Sequence, residues 1–66
     1  MTLADECIDG AAQVLCSAMS AVRALDCAVT AAERAERLRD ISWALYHASA
    51  LLNRAADIEE RRANED

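Results

Sequence analysis

Apolar residues recur along this chain with a helical period, and they do so in two separate runs. From Leu3 to Val29, Ile8, Leu15, Val22 and Val29 repeat every seven residues, with Ala11, Ala18 and Leu25 three places after the first three. Cys7, Val14, Ala21 and Ala28 flank that seam on one side, and Ala12 and Met19 on the other, so the apolar face is wide enough to meet more than one neighbouring helix. A second run, from about Ala31 to Arg62, places Leu38, Ile41, Leu45, Ala48, Leu52 and Ala55 at alternating spacings of three and four. Relative to the first run it is displaced by two positions, roughly 200° around a helix. One straight helix would then point its halves in nearly opposite directions, and a turn is the simpler reading.

The pattern predicts an all-α chain forming a single domain over residues 1–66. Helix one covers about 3–29, a turn falls at about 28–32, and helix two covers about 31–62. Thr2 with Asp5 caps the first helix, and Thr30-Ala31-Ala32-Glu33 reads as a capping box that restarts the second. A short connection makes the helices antiparallel neighbours, a hairpin. No Gly or Pro marks the break, so one long kinked helix, or a restart at Asp40–Ser42, is the competing arrangement. Glu33 with Arg37 and Asp57 with Arg61 are acid-before-base pairs at four-residue spacing, the signature of a solvated face. Ala63 to Asp66 is expected to fray.

Composition sharpens this. The chain has 66 residues, no Pro, no Phe, a single Gly (Gly10), and Ala as its commonest residue. A chain this short buries only about 60% of its unfolded surface, and such a core rarely supplies more than roughly 3–5 kcal/mol without a staple or a partner. The net charge is −5 and every basic side chain is Arg, which argues against nucleic acid and against an anionic membrane surface as partners. No apolar run reaches the ~18 residues of a membrane span. The acidic start, Met1 to Glu6, is the opposite of a secretory signal, so the expected location is cytoplasmic.

Candidate chemistry is sparse. Cys7, Cys16 and Cys27 form no Cys-x-x-Cys pair; Cys16 and Cys27 would lie about 16 Å apart on one helix, too far to bond. They are expected to be reduced, packed thiols. His47 is the only imidazole, so a zinc site cannot be assembled. The acidic pairs Asp5/Glu6 and Glu59/Glu60 are adjacent instead of one turn apart, unlike a metal-binding arrangement. No catalytic residues, no cofactor and no metal are expected, and the chain does not read as an enzyme.

The distinctive segment is Trp43-Ala44-Leu45-Tyr46-His47, which holds the only Trp, Tyr and His. With Leu38, Ile41, Leu45, Ala48 and Leu52 turned inward, Trp43, Tyr46, His47 and Ala50 fall on the opposite side, Leu51 and Ile58 at the edge between the faces, and Arg39, His47 and Arg54 on a polar rim. Trp and Tyr bury about 150–250 Å² each and are enriched at interfaces. The first expectation is that these rings complete a homodimer, giving a four-helix bundle. The second is that they dock a heterologous protein partner.

Leu25-Asp26-Cys27-Ala28 followed by Trp43 to Ser49 resembles a pattern in small pseudomonad proteins with a Leu-x-Cys-Ala helix and a Trp-containing helix. The stretch from Arg39-Asp40 through Trp43 to Leu51-Leu52 resembles part of the small phage-encoded inhibitors of quorum-sensing regulators and pilus assembly. That resemblance implies a dimeric helical hairpin acting as a non-enzymatic regulator or inhibitor that binds a bacterial host protein. In size and hairpin plan alone, the chain is also similar to the small chaperones of type III secretion needles. This implies the alternative of a chaperone or antitoxin-type subunit that folds with a cognate partner.

Overall fold

The computed structural model describes residues 2–65; Met1 and Asp66, and the fraying expected for Asp66, lie outside the described residues. Two helices make up the fold: α1, Leu3–Arg23, and α2, Ala31–Glu65, joined through a 3₁₀ turn at Ala24–Cys27. Among the described residues there is no strand. The helices run antiparallel, since Ala4 and Cys7 near the start of α1 pack with Ala55 and Ile58 near the end of α2. α2 therefore continues about seven residues beyond the start of α1, and that overhang, Glu59–Glu65, is charged.

Both helix starts are set by local hydrogen bonds. The Thr2 hydroxyl accepts from the Asp5 N–H at 3.2 Å, and the Asp5 carboxylate accepts from the Thr2 N–H at 3.2 Å. At α2, the Thr30 hydroxyl accepts from the Glu33 N–H at 3.1 Å. The Glu33 carboxylate reaches one residue further back than a capping box requires and accepts from the Val29 N–H at 3.1 Å. Its other oxygen pairs with Arg37 at 2.9 Å, while Arg37 also donates to the Ala24 carbonyl at 3.2 Å. Arg37 thus ties α2 to the first residue of the 3₁₀ turn, and Glu33 ties it to Val29 just beyond that turn. These contacts replace the Gly or Pro that usually marks such a break, and no described residue has a positive φ.

The first helix ends at Arg23, six residues before the expected Val29. The chain tightens to 3₁₀ geometry, and Ala28 is already extended at φ −71°, ψ 127°. Asp26, Cys27, Val29 and Thr30 are poorer helix formers than the Ala-rich stretch before them. At its other end α2 stays helical to Glu65, past the expected 62. Of the two expected ion pairs, Glu33–Arg37 forms; in the last turns the pair present among the described residues is Arg62 with Glu59 at 3.4 Å.

The buried seam keeps Ala11, Ala18, Ile41, Ala48 and Ala55 of the expected one and loses most of its larger residues. Ala4, Cys7, Ala11 and Ala18 of α1 meet Ile41, Ala48 and Ala55 of α2, while Val14, Ala21, Ala44, Leu51 and Ile58 are half-buried beside them. Ile8, Leu15, Val22 and Val29, expected inside, are exposed, and so are Leu38, Leu45 and Leu52. Two helices share a single line of contact, and small side chains on that line let the axes approach toward the short end of the usual 8–10 Å. The bulkier residues are then displaced to the flanks.

The molecule is consequently a single layer. Its Cα atoms span 54 × 17 × 11 Å with a radius of gyration of 15.7 Å, against about 11 Å for a compact domain of this length.

Candidate functional site: the ring cluster of α2

One helical turn of α2 carries three rings that touch one another. Trp43 and His47, four residues apart, stack with centroids 5.2 Å apart and planes 23° from parallel. Tyr46 stands edge-on to both, at 5.8 Å from Trp43 and 6.2 Å from His47. The spacings of three and four residues that place side chains side by side on a helix produce this cluster without help from α1. Trp43 is 61% exposed and Tyr46 67% exposed. The rings turn away from the seam, as the periodicity of Ile41, Ala48 and Ala55 requires.

Around the rings, Arg39, Ser42, Trp43 and Tyr46 line a shallow groove on the outer side of α2. His47 faces the other way, bordering a groove with Gln13, Val14, Ser17 and Ala44 where the two helices meet. Arg39 and Arg54 are exposed, one turn before and two turns after the cluster, and Ala50 is exposed one heptad after Trp43. The structure thus brings Trp43, Tyr46, His47 and Arg39 together.

Leu51 and Ile58 belong elsewhere. Leu51 is half-buried in the seam, where a Cβ on Gly10 would sit 3.4 Å from its Cδ1, and Ile58 packs on Ala4, Cys7 and Ala55. With Leu45 and Leu52 out on the flank, positions 51 and 58 rotate into the seam. The reading of the thiols changes too: Cys7 is buried, but Cys16 and Cys27 are exposed.

A second surface is built largely from residues expected inside the seam. Leu15, Met19, Val22 and Arg23 of α1 and Leu45 of α2 line an open apolar groove over Ala18 and Ile41. Leu38 and Leu52 continue it along α2 at heptad spacing, and both are exposed. The signal was present in the chain as a second set of heptads beside the small-residue one, Ile8-Leu15-Val22 and Leu38-Leu45-Leu52.

No described polar or charged side chain is buried, and among the described residues no three His, Cys, Asp or Glu side chains converge as a metal site. One carboxyl is clearly perturbed: the Thr2 backbone N–H, then the Thr2 hydroxyl, with a smaller attraction from Arg62, hold Asp5 below its ordinary 3.8. That effect belongs to the helix cap, far from the rings. No helix is long and apolar enough to cross a membrane. Comparison of the chain with protein-family models, with curated proteins and with solved structures finds no match.

Proposed function

We propose that this chain is a small non-catalytic interaction module, working as a paired helical hairpin, that regulates or inhibits another protein by occupying its surface. The observation that carries this reading is the ring cluster: Trp43, Tyr46 and His47 are held against one another yet exposed. Mutual stacking fixes their rotamers in advance, which lowers the entropy cost of docking. Trp, Tyr and Arg are the residue types that dominate binding energy at interfaces, and Arg39 adjoins the rings in one groove. The partner this chemistry suits presents an apolar pocket with an acidic margin. The resemblance to phage-encoded inhibitors points to a host regulator or assembly factor, and the location proposed for the encounter is the cytoplasm.

The test compares immobilised wild-type protein with Trp43→Arg in capturing partner proteins, with far-UV circular dichroism as the control for folding. Loss of the captured partner at unchanged helicity is expected, because Trp43 contributes nothing to the seam. Equal capture by the variant would overturn the reading.

A second reading, a chaperone or antitoxin-type subunit ordered by its cognate partner, draws on the thinness of the seam, in which the buried residues are mostly alanine. It requires the isolated chain to melt broadly at every concentration. A sharp, cooperative melt of the pure protein counts against it.

A further inference from the structure

The groove over Ala18 and Ile41 is part of a larger apolar face with an unusual symmetry. On α1, Ile8 and Val22 lie seven residues either side of Leu15, with small Ala12 three residues before it and long Met19 four after it. On α2, Leu38 and Leu52 lie seven residues either side of Leu45. Leu15 and Leu45 line the same groove, so the two centres lie at one level of the hairpin. Charge follows the same plan: on the outer edge of the α1 stripe, Asp9 and Arg23 stand seven residues either side of Cys16, and all three are exposed.

We infer that this face is closed by a second copy of the chain, stacked face to face about a two-fold axis that crosses the helices at the level of Leu15 and Leu45. An isologous contact requires a self-complementary patch. Rotation about that axis lays α1 antiparallel on the partner's α1 and α2 on the partner's α2. Leu15 and Leu45 meet their own copies, Met19 enters the gap left by the partner's Ala12, and Asp9 faces the partner's Arg23 twice.

Size allows this occupant as a small, dissociable contact. Stripes about 21 Å long on each helix, each about 10 Å across, offer roughly 420 Å² in plan per copy, or about 840 Å² for the pair, at the low end of protein interfaces. A single foreign helix would cover one groove and leave the ridges beside it wet. A second hairpin has the same width, length and heptad spacing. The exposed Asp5 and Asp26 bound the α1 stripe and keep its ends in water. Stacking on the leucine faces leaves both ring clusters uncovered, one on each outer side of the bundle, so the pair presents two docking sites. That last consequence rests on the ring cluster being the docking site; the pairing itself does not.

The experiment measures solution mass by light scattering across a dilution series under reducing conditions, for wild type, Leu45→Glu, Trp43→Glu, Asp9→Arg, Arg23→Asp and the double reversal Asp9→Arg/Arg23→Asp. Wild type and Trp43→Glu are expected at twice the 7.2 kDa chain mass. Leu45→Glu should weaken pairing more than tenfold. Each single charge reversal should weaken it several-fold, and the double reversal should restore it, an outcome that a variant merely failing to fold cannot mimic. In a Cys27→Ser background, a short bis-maleimide should link the exposed Cys16 to the partner's Cys16. A wild-type monomer at all concentrations would overturn the pairing and assign the face to a different protein. A dimer broken by Trp43→Glu and not by Leu45→Glu would overturn the face. A dimer with no rescue by the double reversal and no Cys16 link would overturn the axis. None of these results touches the capture experiment, so the two readings fail separately.

Discussion

Gly10 shows how finely the seam is set at the scale of single residues. It sits in the interior of α1, where Gly costs about 0.5–1 kcal/mol relative to Ala, and the added Cβ of Ala would meet only the flexible tip of Leu51 at 3.4 Å, an ordinary van der Waals distance. Gly10→Ala should therefore raise the melting temperature by a few degrees. A fall would mean that Leu51 cannot yield. Asp5 makes a second residue-scale expectation. Its carboxyl is depressed chiefly by the Thr2 backbone N–H, so the ionised form favours the folded state. That contribution is present above the unfolded value near 3.9 and is lost as pH falls through the lower folded value. Melting curves of wild type and Asp5→Asn should differ above about pH 4 and converge in stronger acid. Curves that stay parallel down to pH 2 would show that the charge plays no part in the cap.

At the scale of the element, the side chains of Thr30, Glu33 and Arg37 hold the connection. Removing the cap with Thr30→Ala should cost about 1 kcal/mol, a fall in melting temperature of about 4–8 °C for a domain of this size. A change below one degree would mean that packing alone places the turn. These caps were legible in the chain because capping is local: Thr2 with Asp5 and Thr30 with Glu33 need only a three-residue spacing. The end of α1 was read too late, since weak helix propensity at Asp26, Cys27, Val29 and Thr30 sets no sharp boundary and the contact of Arg37 with the Ala24 carbonyl spans thirteen residues. The seam was misread for a related reason. Hydrophobicity ranks Leu above Ala for burial, but a contact between two helices rewards whichever residues allow close approach. Ala11, Ala18 and Ala48 won over Leu15, Val22 and Leu45. Trp43 and Tyr46 were legible as outward-facing under either phase, whereas His47, expected on the far side, borders the groove where the two helices meet.

For the whole molecule, a layer one helix thick with two dissimilar outer faces leaves the leucine side and the ring side to be covered independently. A further property follows from the chain having one Trp, which lies on the ring face. The fluorescence of the unlabelled protein therefore reports on one face alone. Trp43 is largely in water and should emit at long wavelength. Covering the ring face should shift that emission to the blue, while covering the leucine face should leave it nearly unchanged. Dilution of the pure protein at constant emission, followed by a blue shift on adding a captured partner, would resolve the two binding events with no label attached. A blue shift that grows with protein concentration alone would instead place the indole inside the contact between copies. The lone indole, stacked on His47 and exposed to solvent, makes the molecule its own optical record of which side is occupied.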